Sequence, residues 1–134
     1  MIVEFDETGR IFHMVHDPVP QETEAAMLRR PFTLSFPPLR GDDGVQPVEC
    51  DLLLDYVAGN KIERRPACPA SVAVSGRVIT IEALPAGSTV AAIIEDIEIP
   101  VAEPVIEMDE AGPVTLAIIP PWPYLEARHD LEIE

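Results

Sequence analysis

The residues that could do chemistry include three histidines, and their spacing argues against a shared metal ion. His13 and His16 lie three positions apart in a segment that we predict to be a strand. In a strand that spacing places the two imidazoles on opposite faces, which suits joint ligation poorly. His129 stands near the C-terminus, and we expect it to be exposed. We therefore expect no metal site at the histidines.

The serines give no sign of a nucleophile. Ser71, Ser75 and Ser88 lie at strand ends or in turns, where serine commonly caps a turn. The chain has no Gly-x-Ser-x-Gly motif, and no serine has a histidine beside it that could activate its hydroxyl. We expect a protein that is not an enzyme, with no catalytic residues.

Two groups of carboxylates could offer oxygen atoms to Ca²⁺: Glu95, Asp96 and Glu98, and Glu107, Asp109 and Glu110. Neither group has the Asp-x-Asp-x-Asp-Gly pattern of a calcium loop, and side chains along a strand alternate between faces. Carboxylates that cleave glycosides need a cleft lined by aromatic rings, and the chain has one Trp and two Tyr. We expect these carboxylates to be solvated, with no metal ion and no cofactor.

Trp122 and Tyr124 are the candidate binding residues. Prolines on both sides hold Trp122, so little conformational entropy would be lost if the ring contacted a partner. A ring in such a corner also packs well against the end of a core. We prefer the packing role, and contact with a partner is the alternative.

The charge of the chain argues against two classes of partner. The 134 residues carry a formal net charge of −15. Residues 1–66 hold 12 acidic and 7 basic residues, and residues 67–134 hold 12 acidic and 2 basic ones. Nucleic acid phosphates and anionic membrane surfaces would be repelled by such a surface. We therefore expect neither nucleic acid nor membrane as a partner.

The chain is predicted to be made and folded in a cytoplasm. The N-terminus has no basic leader, and no apolar run approaches the length of a membrane span. Cys50 and Cys68 agree with this as free thiols, although a disulfide between them stays open at this stage.

The elements that position these residues are predicted to be short strands, so that the fold class is mostly β. Prolines number 15 and interrupt helices and central strands alike. The apolar residues are mainly Val, Ile, Leu and Ala, and β-branched side chains favour strands.

Residues 1–66 are predicted to form a β-hairpin docking module with one short helix. Strands at Met1–Phe5 and Arg10–Val15 flank a four-residue loop that ends at Gly9 in the left-handed conformation. The helix is predicted at Gln21–Arg30, with Pro31 ending it. Further strands are predicted at Phe32–Phe36, in the apolar run Val48–Val57 and at Lys61–Arg65, and the proline-rich Pro37–Pro47 is predicted to be a loop.

Residues 70–134 are predicted to form an immunoglobulin-like β-sandwich, after a linker at about residues 66–70. Within the second strand, alternation predicts that Ile79, Ile81 and Ala83 face the core. The seven predicted strands are Ser71–Ser75, Arg77–Ala83, Thr89–Glu95, Ile97–Val101, Val105–Met108, Val114–Ile119 and Arg128–Ile133.

Several stretches carry a resemblance to a known group of proteins. They are Phe5–Ile11, Asp55–Pro66, Glu110–Leu116 and Trp122–Leu125. Together they resemble small uncharacterised proteins of tailed bacteriophages and prophages, which are encoded near tail and tail-fibre genes. In those proteins a hairpin-rich front half is followed by an immunoglobulin-like rear half that ends in a Trp-Pro-Tyr-Leu corner. This chain departs from the pattern in its proline-rich middle and at Val114.

The resemblance implies a non-enzymatic structural component of a phage virion, associated with the tail or tail fibre. The implied partners are other phage structural proteins of the tail, tail fibre or baseplate, with a homo-oligomer within the particle left open. The implied location is the virion, after synthesis and assembly in the host cytoplasm. Three alternatives stay open: a capsid decoration protein, a host-glycan-binding adhesin that uses Trp122 and Tyr124, and a tail assembly chaperone.

Overall fold

Fourteen strands and one helix make up the protein, and the mostly β prediction is confirmed. The structure is a computed structural model that describes all 134 residues, in two units: unit 1, residues 1–65, and unit 2, residues 66–134. Unit 1 contains β1 (Ile2–Phe5), β2 (Ile11–Val15), α1 (Gln21–Met27), β3 (Thr33–Ser35), β4 (Leu39–Gly41), β5 (Gly44–Gln46), β6 (Asp55–Ala58) and β7 (Lys61–Arg64). Unit 2 contains β8 (Ser71–Ser75), β9 (Val78–Glu82), β10 (Thr89–Ile94), β11 (Ile97–Val101), β12 (Val105–Glu107), β13 (Gly112–Ile119) and β14 (Ala127–Ile133).

Unit 1 is organised around β1, the central strand of a three-stranded antiparallel sheet ordered β2-β1-β3. Both faces of β1 are covered. Val3 packs on one face in a buried cluster that includes Val57 of β6. Glu4 points to the opposite face, where Arg30, just beyond α1, donates a hydrogen bond to it. Since both faces are buried, the alternation along β1 does not separate a core face from a solvent face.

The loop between β1 and β2 shows why a glycine stands at position 9. Gly9 has φ +87°, so the predicted left-handed glycine is confirmed. Its carbonyl accepts a hydrogen bond from the Val57 amide at 2.9 Å, which ties the loop to β6. A Cβ atom at this position would collide with the Val57 carbonyl oxygen. Position 9 therefore requires glycine for two reasons: the backbone is left-handed, and there is no room for a Cβ atom.

Three elements of unit 1 differ from the prediction. The helix ends at Met27 instead of Arg30, with Leu28 as its C-cap. The segment Pro37–Pro47 is not a plain loop, because β4 and β5 within it pair as a two-stranded hairpin. The strand predicted over Val48–Val57 begins only at Asp55.

Unit 2 consists of two antiparallel sheets, ordered β11-β10-β13-β14 and β12-β9-β8. Buried side chains from both sheets form one cluster, which lies between them: Ile79, Ile81, Val90, Ala92, Val114, Leu116, Ile118 and Ile133. The prediction that Ile79 and Ile81 face the core is confirmed. The same prediction for Ala83 is wrong, since β9 ends at Glu82 and Ala83 is exposed with φ +57°.

The two lateral sides of unit 2 differ. On one side β14 lies close to β8. On the other side β11 and β12 are the outer strands, joined by a link that passes from one sheet to the other. Glu95 and Asp96, both with positive φ, form the two-residue turn between β10 and β11. Such a turn matches the twist of paired strands and keeps β11 beside β10.

Candidate functional site

Trp122 and Tyr124 lie in the connection between β13 and β14, and both are half-buried. The Tyr124 amide donates to the Pro121 carbonyl at 3.1 Å, and the Leu125 amide donates to the Pro66 carbonyl at 2.9 Å. Backbone hydrogen bonds therefore anchor the corner, while both rings keep part of their surface in water. Neither ring belongs to the buried core of unit 2.

The three histidines occupy different settings. His13 lies on β2, and His16 lies beyond the end of that strand. The expectation that His129 is exposed is wrong. It is half-buried, and its Nε2 atom is shielded from solvent without a hydrogen-bond partner. The cause is its register opposite the fully buried Leu116, which turns the imidazole toward the core face of β14.

Glu4 is a buried carboxylate of unit 1 that is paired with two basic side chains. Its side chain is 8% exposed, its Oε1 lies 2.9 Å from His13 Nδ1, and Arg30 Nη1 donates to the same atom at 3.1 Å. The hydrogen bond from His13 and the nearby Arg30 charge lower the pKa of Glu4, against the opposing effect of burial. Glu4 is therefore ionised at neutral pH and has no proton to give as a general acid. Its role is to hold the segment after α1 against the sheet.

Both cysteines are free thiols. Burial, with a smaller contribution from the Asp55 and Asp51 charges, raises the pKa of Cys50 to about 11. Since the thiolate is the nucleophile, Cys50 is unreactive at neutral pH.

No group of three or more His, Cys, Asp or Glu side chains is arranged to hold a metal ion. The six carboxylates weighed as calcium ligands are all exposed, as predicted. No helix in the structure combines the length and the apolar character that a bilayer crossing demands.

Two protrusions of unit 1 place large apolar side chains in water, and sequence reasoning missed both. We call the β4–β5 hairpin, Leu39–Gln46, the arm. Every residue of β4 and β5 is exposed, including Leu39 at 66% and Val45 at 62%. Leu39 pairs with Gln46 and Arg40 pairs with Val45, so the two apolar side chains lie on opposite faces of the arm.

The second protrusion is the leucine turn, Asp51–Asp55. Leu53 at its tip is 74% exposed, and its neighbours Leu52 and Leu54 are also exposed. The Asp51 carboxylate accepts hydrogen bonds from the Leu53 amide at 2.8 Å and the Leu54 amide at 3.0 Å. These bonds lower the pKa of Asp51.

The base of the leucine turn is fixed by further polar contacts. The Asp51 amide donates to Asp55 Oδ2 at 2.7 Å. Arg65 Nη1 donates to the Leu53 carbonyl at 2.9 Å, and Arg64 pairs with Asp55 at 3.2 Å. The turn is therefore held in one conformation while its leucines face solvent. Because the leucine turn is already ordered, it loses little conformational entropy when a partner covers it.

Three comparisons with known proteins add no residue to this site. No protein-family model, no curated protein and no solved structure matches the chain. The candidate site is therefore defined by the arm, the leucine turn and their geometry.

Proposed function

We propose that the chain is a non-enzymatic structural component of a bacteriophage virion, associated with the tail or tail fibre, that docks through unit 1. The observation that carries the proposal is the exposure of Leu39, Val45 and Leu53 on the arm and the leucine turn. Neighbouring apolar side chains in water, as at Leu52–Leu54, mark candidate sites of protein contact. The resemblance to small proteins of tailed phages supports the virion as the assembly concerned.

The arm supports docking for an energetic reason. A two-stranded hairpin is marginally stable by itself in water, and this one exposes every residue of both strands. A partner that packs on both faces would cover Leu39 on one face and Val45 on the other. Burial of these apolar side chains against a partner would favour association. The arm therefore gains order and the complex gains stability in the same step.

For unit 2 we propose an immunoglobulin-like sandwich that serves as the scaffold. When the strands of unit 2 are counted from β8, the sheet β12-β9-β8 contains strands five, two and one. The sheet β11-β10-β13-β14 contains strands four, three, six and seven. The constant-type immunoglobulin arrangement differs from this only in the fourth strand, which there lies beside the fifth. In this chain the tight turn at Glu95 and Asp96 keeps the fourth strand beside the third. A rigid sandwich of this kind presents surface without chemistry of its own.

Quantitative mass spectrometry of intact, purified virions tests the function. The expected result is the chain in the particle at a copy number that matches a tail, tail-fibre or baseplate protein. A ratio to the major head protein that corresponds to hundreds of copies would replace this proposal with capsid decoration. Absence from the finished particle would overturn it and favour an assembly chaperone.

A further inference from the structure

One side of unit 2 leaves the core open to solvent. Between β11 and β12 lies a groove of about 540 Å³. Three half-buried residues that pack against the core, Ile94, Ile106 and Met108, form part of its wall. Two exposed apolar side chains, Ile99 and Val105, stand at its rim. We call this the edge groove.

The outer edge of β12 offers unpaired backbone groups beside the groove. The Ile81 amide donates to the Pro104 carbonyl and the Met108 amide donates to the Arg77 carbonyl, both at 2.8 Å. Hydrogen bonding in an antiparallel ladder alternates along the strand. The N–H and C=O groups of Val105 and Glu107 therefore point away from β9. No strand lies beyond β12 in its sheet, so these groups are free to pair with an added strand.

The edge of β11 on the other side of the groove is blocked. The two-residue turn before β11 closes on Ile94 and Ile97, which form a hydrogen-bonded pair. Alternation along the ladder then makes Pro100, which has no N–H and lies opposite Ala91, part of a pair that is not hydrogen-bonded. The groups that point away from β10 are then those of Glu98 and Pro100, and only Glu98 supplies a donor. A proline on an outer strand is a common protection against strand addition. Of the two edges, β12 is the one that can accept a partner.

The charge around the edge groove selects the occupant. Glu103 and Glu107 line the groove and Asp109 lies at its end, and all three are exposed. Unit 2 contains only two basic residues, and one of them, Arg77, donates to the Asp109 carbonyl at 2.6 Å. A second copy of this chain would bring carboxylate against carboxylate. A segment that carries basic side chains would instead place them beside Glu103 and Glu107.

We propose that β12 accepts an extended segment of a partner protein in which apolar and basic residues alternate. The added strand pairs with the backbone of Val105 and Glu107. Its apolar side chains turn inward and cover Ile94, Ile106 and Met108, and its basic side chains turn outward beside Glu107. This binding belongs to unit 2 alone and does not rest on the virion role proposed above.

The probe is a ten-residue peptide that alternates valine and lysine, mixed with the full chain at physiological salt. Fluorescence anisotropy measures its affinity, and amide hydrogen exchange is followed at Val105 and Glu107. The control peptide has the same composition with its lysines and valines in two blocks. We expect the alternating peptide to bind at least about tenfold more tightly and to slow exchange at both amides. Equal binding of the two peptides would overturn the proposal, because charge alone would explain it.

A matched pair of variants separates the two edges. Glu107→Pro removes an outward donor on β12, and Glu98→Pro removes one on β11; both edge positions tolerate proline because neither donor serves the ladder inside the sheet. We expect Glu107→Pro to weaken peptide binding about tenfold and Glu98→Pro to leave it within about twofold. Glu107→Gln, which keeps the donor, separates the charge of this residue from its backbone and should weaken binding less than Glu107→Pro.

Two results would overturn the assignment of the binding edge to β12. Equal losses in Glu107→Pro and Glu98→Pro, with thermal denaturation showing both folded, would overturn the assignment to β12. Dimerisation of the free chain that Glu107→Pro abolishes, seen by analytical ultracentrifugation, would mean that a second copy occupies the edge and would also overturn it.

Discussion

Unit 1 and unit 2 are of nearly equal length but have different interiors. Unit 2 buries eight side chains in one cluster between two sheets. The corresponding cluster of unit 1 contains four buried residues, and its sheets have three, two and two strands. Unit 1 nevertheless displays Leu39, Val45 and Leu53 to water. Unit 2 therefore has the larger buried core, and the side chain with the highest exposure among the large apolar residues, Leu53, lies in unit 1.

Unit 1 has a smaller apolar core than unit 2, and ion pairs between side chains contribute to holding its elements together. Glu4 is paired with both His13 and Arg30, and Asp55 is paired with Arg64. The three carboxyl groups whose pKa is lowered, Glu4, Asp6 and Asp51, all lie in unit 1. The two units should therefore respond differently to core truncation, to acid and to surface substitution.

The largest effect is expected from truncation of the unit 2 core. Leu116 is fully buried at the centre of the cluster. Leu116→Ala should lower the free energy of unfolding by about 2–5 kcal/mol, because it removes apolar contacts and leaves a cavity. Denaturation followed by fluorescence of Trp122, the single tryptophan, reports on this unit. A loss below about 1 kcal/mol would contradict the picture of unit 2 as a tightly packed body.

The next effect concerns the loop that joins two parts of unit 1. Gly9→Ala should destabilise unit 1 by at least about 2 kcal/mol, because the added Cβ collides with the Val57 carbonyl and the backbone is left-handed. Gly59→Ala is the matched control: Gly59 has φ +56° but open space around it, so about 1 kcal/mol is expected. Urea denaturation with hydrogen exchange in unit 1 peptides measures both. Equal losses would show that the contact with β6 is unimportant.

Acid should destabilise unit 1 through Glu4. The pKa of Glu4 is lowered by folding, so its contribution is fully present above its ordinary pKa of 4.5 and is lost as pH falls through the lower value of the folded state. Glu4→Gln should be less stable at pH 7 and should depend less on pH below 4.5. Hydrogen exchange in unit 1 peptides between pH 7 and pH 3 measures the change. Glu103→Gln, at an exposed position in unit 2, should leave the acid response of unit 1 as it is.

The smallest effect on stability is expected at the arm and the leucine turn. Val45→Ser and Leu53→Ser replace side chains that are more than half exposed, so the free energy of unfolding should change by less than about 0.5 kcal/mol. Thermal denaturation measures this. A loss of more than about 1 kcal/mol in either variant would mean that the side chain stabilises unit 1 itself. That side chain would then belong to the folded interior of unit 1 and not to its free apolar surface.

The strands of unit 2 could be predicted because turn residues bracket each apolar run. The predicted strands Ser71–Ser75 and Ile97–Val101 coincide with β8 and β11. The error at Ala83 arises where the chain leaves the strand in a left-handed conformation, which alternation does not reveal. The exposure of His129 was also predicted wrongly, because its register against Leu116 is a property of strand pairing across the sheet.

The candidate site in unit 1 was harder to predict. Prolines around the arm hide a hairpin pattern, in which Asp42 and Asp43 form the turn between two short strands. The leucine turn lies within an apolar run that favours a strand, but the Asp51 carboxylate accepts hydrogen bonds from the amides of Leu53 and Leu54 and bends the chain. The pairing of Glu4 with Arg30 joins residues 26 positions apart, which no local pattern encodes.

Cosedimentation with purified particles that lack the chain tests most directly whether unit 1 is the docking half. The full chain is compared with Leu53→Asp in the leucine turn and with Ile119→Asp, a matched change at an exposed apolar residue of unit 2. Wild type and Ile119→Asp should cosediment with the particles, and Leu53→Asp should bind at least about tenfold more weakly. Failure of the wild type to bind, or full binding by Leu53→Asp, would contradict the account.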